Sequence, residues 1–295
     1  MVVEAINKVA IIGANGQLGT DLLAAFKGNA IPFTHSDIDV TNPSTFGPLR
    51  AKKPDVIINA AAYVKVDMAE QETEAAAKTN IIGAFNIARL SKELNAVNVY
   101  ISTDYVFDGN KKGPYTESDV PNPLNFYGLS KYAGEIATQN YSQKYYIFRM
   151  ASLFGKAGSS GKGGNFIETM INKAKNKEVL NVVDDMIMSP TYTKDAAELI
   201  KQILEIRPKF GIYHIANEGR CSWYTFTKKI FELLKQKVRI KAIKTKQLEM
   251  STHRPANSAL ANSRIHKLKI KMPKWEDALK RYLIEKGYIG DLVAI

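Results

Sequence analysis

The chain has 295 residues with 41 Lys plus Arg against 29 Asp plus Glu, and its +12 charge is uneven: residues 1–200 carry −1 and residues 201–295 carry +13. Its 45 % hydrophobic and 24 % charged residues are those of a globular protein with one large domain or two joined ones, which excludes disorder. Cys221 stands alone, no apolar stretch approaches the roughly 20 residues that cross a bilayer, and the N-terminus lacks signal-peptide order; a cytoplasmic protein with no membrane partner is expected, not a secreted stapled one.

The first 150 residues alternate short apolar runs with longer amphipathic ones. Residues 8–12 (KVAII) predict a strand, 16–27 a helix, 30–33 a strand, 43–52 a helix and 55–59 (DVIIN) a strand. A long helix over 67–95, a strand at 98–101, a helix from about 130 to 141 and a strand at 145–149 (YYIFR) follow. Apolar runs without period-2 alternation mark strands buried on both faces, and the intervening helices supply parallel crossovers. The fold class is therefore α/β, a Rossmann-type doubly wound parallel sheet with a smaller C-terminal α/β substrate domain. Residues 1–150 form the dinucleotide-binding part and 151–295 mainly the substrate part, with strands returning to the sheet near 178–183 and 211–215.

Beyond residue 150, the glycine-rich 155–164 (GKAGSSGKGG) predicts a flexible loop. Helices are expected at 166–175, 194–206, 223–235 and 275–286, the last capped by Gly287. The basic segments 235–247 and 264–274 interleave Lys or Arg with Val, Ile and Leu, as half-buried strands with a solvated face do. Nucleic-acid binding rests on that charge alone, and the expectation is no nucleic-acid partner.

The strongest local motif is GANGQLG at 13–19, between a buried strand and an amphipathic helix. Gly13 permits the tight turn, Gly16 lets the backbone approach a pyrophosphate, and Gly19 allows close helix–sheet packing, with the helix N-terminus facing the phosphates. A ribose-binding acid should follow roughly 20 residues on, which brings Asp37 and Asp39 forward. Thr34, His35 and Ser36 directly follow the second strand, and such neutral or basic residues favour NADPH over NADH.

The second constellation is Tyr127-Gly-Leu-Ser-Lys131, preceded by STDYVFDG at 102–109. Residues four apart share a helix face, so the Lys131 ammonium can sit beside the Tyr127 phenol. Lowering a phenol from about 10 towards about 7 takes about 4 kcal/mol, which one close cation supplies at an effective dielectric of about 20. Tyr127 would then act as a general acid, with the Thr103 hydroxyl bonded to the same oxygen. The loop GSSGKGG is no P-loop, since Lys156 and Gly163 stand where that motif needs Gly and Ser/Thr. His35, His214, His253 and His266 show no metal-ligand spacing, so no metal is expected.

These pieces together resemble the extended short-chain dehydrogenase/reductases, and most closely the dTDP-4-dehydrorhamnose reductase subfamily. The matching segments, in order, are GANGQLG (13–19), DVT (39–41), PDVIINAAA (54–62), STDYVFDG (102–109), PLNFYGLSK (123–131), SPTYTKD (189–195), GIYHIANEGRCSW (211–223) and RPANSAL (254–260). The resemblance implies a catalytic set of Thr103, Tyr127 and Lys131, and a cofactor site at Gly13, Asn15, Gly16, Gln17, Leu18, Gly19, Asp39, Val40, Ala60, Ala61 and Ala62. It places Asn80 in a proton relay, and Ser152, Asn165 and Arg254 on the nucleotide-sugar side, Arg254 as the diphosphate cation. It implies NAD(P)H-dependent reduction of the C4 ketone of a nucleotide-linked 6-deoxyhexose by a monomer or homodimer.

Two positions depart from the subfamily. Its FRTSWLYG reads FRMASLFG here, with Ser152 for the tryptophan, and Val64 replaces its threonine after NAAA. Two alternatives follow: a reductase of another nucleotide-linked 4-keto sugar, or a regulatory subunit similar to the methionine adenosyltransferase beta subunit.

Overall fold

Val9–Ile12 (β1) has the sequence VAII, and its alternate side chains enter two different cores. Val9 and Ile11 pack on one face of the sheet, Ala10 and Ile12 on the other. A strand buried on both faces needs a helical layer on each side. A computed structural model describes residues 6–158, 164–248 and 251–290; of the predicted glycine-rich loop, 159–163 lie outside the described residues.

In chain order β1 is followed by Gln17–Ala25 (α1), Ala30–Phe33 (β2), Gly47–Lys52 (α2), Val56–Asn59 (β3), Thr73–Ala77 (α3), Gly83–Glu93 (α4), Val97–Thr103 (β4), Phe126–Tyr141 (α5) and Tyr145–Met150 (β5). Next come Leu153–Phe154 (β6), Phe166–Lys175 (α6), Leu180–Val183 (β7), Ile187–Met188 (β8), Thr191–Tyr192 (β9), Thr193–Ile206 (α7) and Gly211–Ile215 (β10). The chain continues through Cys221–Ser222 (β11), Trp223–Leu233 (α8), Ile240–Ile243 (β12), Ser263–Lys267 (α9) and Trp275–Glu285 (α10).

Six strands form the main sheet in the order β10-β5-β4-β3-β1-β2, every pair parallel. Leu18 and Leu22 of α1 and Ile200 and Ile203 of α7 cover one face; Leu49 of α2 and Ile87 and Leu90 of α4 cover the other. The order reverses between β1 and β3, so the loops leaving their carboxyl ends diverge and open a crevice, the usual ligand position in such sheets. A second core gathers Ile167 and Ile171 of α6, Phe226 and Ile230 of α8, and Leu279, Tyr282 and Leu283 of α10. Among the described residues no helix is long and apolar enough to cross a membrane.

The structure corrects four expectations. Residues 180–183 do not return to the main sheet; β7 pairs with β12 in a separate two-stranded sheet, since an apolar run does not say which sheet receives it. The predicted helix over 67–95 is broken into a 3-10 turn at Met68–Glu70, α3, a π-helical turn at Lys78–Ile82 and α4. The helix expected from about 130 begins at Phe126, because Asn125 caps it by accepting from the Gly128 N–H at 2.8 Å. The segment 264–274 is no strand; it holds most of α9 and then a connection.

Candidate active site

The cleft is built from the carboxyl ends of the strands. Gly13 adopts φ +78°, the left-handed conformation that turns the chain out of β1 into α1. A Cβ on Gly19 would lie 2.1 Å from the Gly13 carbonyl oxygen, so only glycine lets the first turn of α1 press against this bend. Gly19→Ala is expected to cost about 1–3 kcal/mol by overpacking, read as a lower denaturation midpoint. α1 begins at Gly16 with no side-chain cap, leaving its first N–H groups to an external acceptor.

Opposite this turn, β4 carries Thr103 at its carboxyl end and α5 carries Tyr127 and Lys131. Helix and strand approach closely through two glycines: a Cβ on Gly128 would meet the Tyr105 carbonyl oxygen at 2.2 Å, and one on Gly134 the Tyr100 hydroxyl at 2.2 Å. The Tyr127 phenol lies near the Thr103 hydroxyl, and its ring packs edge-on to Tyr105, centroids 6.0 Å apart. Thr103 Oγ1 donates to Asp104 at 3.0 Å and accepts from the Tyr105 N–H at 3.2 Å. Lys131 is buried, with Nζ 4.2 Å from the centroid of the Tyr100 ring.

The electrostatics reverse the expected acidification of Tyr127. Burial pushes its phenol up to about 12; the neighbouring Thr103 hydroxyl lowers it only in part, and the Asp104 carboxylate raises it further. Burial pulls the Lys131 ammonium down to about 7, opposed by the charge of Glu135. Loss of hydration at both groups outweighs the one-cation argument made from their spacing.

The cleft has a volume of about 550 Å³. It brings together Gly16, Gln17, Leu18, Ala60, Ala62, Thr103, Tyr127, Lys131, Ser152 and Asn165 of the predicted site. Gly13, Asn15, Gly19, Asp39, Val40, Ala61, Asn80 and Arg254 are not among the residues lining it. Asp39 accepts from the N–H and hydroxyl of Thr41, and Asp37 from those of Thr34, so both carboxylates brace their own turns. The Asn80 amide bonds both backbone groups of Tyr63 and the Ser130 hydroxyl. Arg254 donates to both oxygens of Asp67 at 2.7 Å. Asn165 caps α6 by accepting from the Glu168 N–H, and its amide donates to the Gly155 carbonyl and the Tyr282 hydroxyl.

Residues 7–287 match the RmlD substrate binding domain. The chain belongs to that family. A dTDP-4-dehydrorhamnose reductase of Aggregatibacter actinomycetemcomitans is 39 % identical, covering 92 % of this chain and 97 % of its own. The spore coat polysaccharide biosynthesis protein SpsK of Bacillus subtilis is 37 % identical, covering 96 % and 99 %. The crystal structure of a Bacillus anthracis dTDP-4-dehydrorhamnose reductase in complex with NADP superposes with a TM-score of 0.89 at 39 % identity, covering 95 % of this chain and all of that one.

Within this RmlD-family cleft the residues fit a dinucleotide. Gln17 Oε1 is buried with no hydrogen-bond partner among the described residues, an acceptor that a ligand donor can satisfy. The uncapped start of α1 lies on the same wall. Sequence reasoning missed the aromatic lining, where Phe166 and Trp223 meet at 4.5 Å between centroids with their rings tilted by 50°, beside Thr169 and Phe226. Trp223 closes the segment GRCSW and Phe166 directly follows Asn165, so adjacency to quoted motifs was the available signal. Ser152 stands at φ +45°, an uncommon conformation for a residue with a Cβ, and lines the cleft.

Proposed function

We propose that the chain is an NADPH-dependent reductase of the C4 ketone of a nucleotide-linked 6-deoxyhexose, with dTDP-4-dehydro-L-rhamnose as substrate and dTDP-L-rhamnose as product. The observation that carries this reading is the convergence of Thr103, Tyr127 and Lys131 in the cleft shared with the α1 turn. Reduced nicotinamide, when bound, supplies the hydride. The N–H groups at Gln17 and Leu18 would hold its diphosphate, while the Gly16 N–H donates to the Gly13 carbonyl, and Ala60 and Ala62 would form its adjoining wall. NADPH is preferred because Asp37 and Asp39 are engaged in their own turns and offer no carboxylate against a 2′-phosphate.

Tyr127 holds its proton throughout the neutral range, as an acid needs when a carbonyl oxygen turns into an alkoxide. The Thr103 hydroxyl, which now donates to Asp104, lies near that phenol and would turn to orient the ketone oxygen towards it. Lys131 holds the cofactor ribose and, while protonated, favours negative charge on the phenol oxygen. The Phe166–Trp223 pair offers an apolar surface to the sugar nucleotide.

Incubation with NADPH and a panel of nucleotide-linked 4-keto-6-deoxyhexoses tests the assignment by loss of reduced-nicotinamide absorbance. Turnover of the dTDP-linked rhamnose precursor is expected; no oxidation with any member of the panel sinks the reductase reading. A second reading, reduction of a different nucleotide-linked 4-keto sugar, is favoured by Ser152, whose small side chain on the cleft wall leaves room for another ring substituent. Faster turnover of another panel member would select it.

A further inference from the structure

Beneath the catalytic helix lies a buried charged cluster that the reaction as described does not use. Glu135 follows Lys131 by four residues on α5, which places both on one helix face. Both of its carboxylate oxygens are taken. Oε1 accepts from Ser102 Oγ at 2.5 Å and Arg149 Nε at 2.8 Å, and Oε2 accepts from Arg149 Nη2 at 2.6 Å. Ser102 and Arg149 are themselves partners in the β4–β5 register, so the sheet fixes both donors relative to each other. Glu135 and Arg149 are 0 % and 1 % exposed. The guanidinium lies 5.1 Å from the Phe107 ring centroid, and its Nη1 has no partner among the described residues.

We propose that Glu135, clamped by Ser102 and Arg149, is a positioning residue that serves as the fixed counter-charge of the Lys131 ammonium. A fully buried ion pair is at best even with an apolar pair in stability, so stability gives no reason for its presence under an active site. Charge placement does. The groups acting on Lys131 are Glu135 on its own helix and the Tyr100 ring on β4; Tyr127 stands one turn before it, Asp104 acts on Tyr127, and Arg149, bonded to Glu135, acts on the buried His214 of β10. Burial alone drives the ammonium towards neutrality, and Glu135 is the charge that opposes it. Three hydrogen bonds prevent the carboxylate from swinging to Lys131 as a ligand, so it acts through its field.

The proposal rests on the reading of Lys131 as the cation that serves Tyr127, but its test needs neither substrate nor turnover. Lysine labelled with 13C at the ε position reports the Lys131 midpoint by NMR titration of the full chain. Glu135→Gln is expected to lower that midpoint by about one pH unit or more. The double variant Glu135→Gln/Arg149→Met also removes the stranded guanidinium, and replacing both members of a buried pair is often neutral or stabilising, so it keeps the measurement possible if the single variant unfolds. A smaller downward shift is expected there, because loss of the Arg149 cation offsets part of the loss of the carboxylate, and the alkaline limb of kcat/KM moves to lower pH alongside it. A folded double variant whose Lys131 midpoint stays at the wild-type value overturns the proposal, whatever the panel assay shows.

Discussion

Tyr127→Phe is expected to lower turnover by about 10²–10⁴-fold, the range that one positioned proton donor supplies, while the chain stays folded and binds cofactor as before. The fold tolerates the change because the ring, edge-on to Tyr105 at 6.0 Å, remains, and only the hydroxyl near Thr103 is lost. Cofactor binding is spared because Gln17 and Leu18 belong to α1, a different element from the α5 that carries Tyr127. Steady-state kinetics beside a binding titration check both halves. Near-normal turnover would show that the proton comes from elsewhere. The pH profile of the wild-type enzyme follows from the same two groups. Tyr127, at about 12, stays protonated and imposes no limb near neutrality, whereas Lys131, at about 7, loses its charge as pH rises through that value. Activity in the reducing direction therefore falls on the alkaline side of about pH 7.

Those two values show where sequence reasoning reached and where it stopped. GANGQLG was legible because backbone geometry dictates it: the bend at Gly13 and the contact behind Gly19 leave no choice of residue. The strands VAII and VIIN were legible because burial on both faces removes polar alternation. The spacing of Tyr127 and Lys131 correctly put them in one cleft, yet it gave the wrong direction for the phenol, since spacing carries no information about desolvation. Asn80 was singled out for a relay, whereas its side-chain amide ties Tyr63 to Ser130 beside a π-helical turn that apolar periodicity passes over. Glu135 reads in sequence as an ordinary mid-helix charge; only the pairing of β4 with β5 reveals Ser102 and Arg149 on either side of it. The basic C-terminal third is likewise clearer in three dimensions. Lys235, Lys237, Arg239, Lys241 and Lys244 are exposed along the edge strand β12 and the chain on either side of it, consistent with a solvated edge, and Arg254 alone was assigned to the site.

Lys131→Met should separate function from stability most sharply. In the folded chain the ammonium titrates at about 7, against about 10.4 when unfolded, so between these values the unfolded chain binds more protons and stability rises with pH. Below about 7 both states are protonated, and the folded chain bears the full cost of a buried charge. Methionine has a similar length and no charge, so the variant is expected to be more stable at about pH 6 by about 1–3 kcal/mol, the scale on which apolar replacements of buried charges operate. That advantage should shrink as pH rises and vanish above about 10.4, where lysine is neutral in both states. Arg149 still compensates Glu135, so no carboxylate is stranded by the change. Turnover should fall by about 10²-fold or more, because the phenol loses the cation that favours its ionised form in the transition state. Urea denaturation at about pH 6 and about pH 9, with kinetics on the same preparations, decides the matter. A variant less stable than wild type at the lower pH would mean that the buried ammonium holds the fold together instead of straining it.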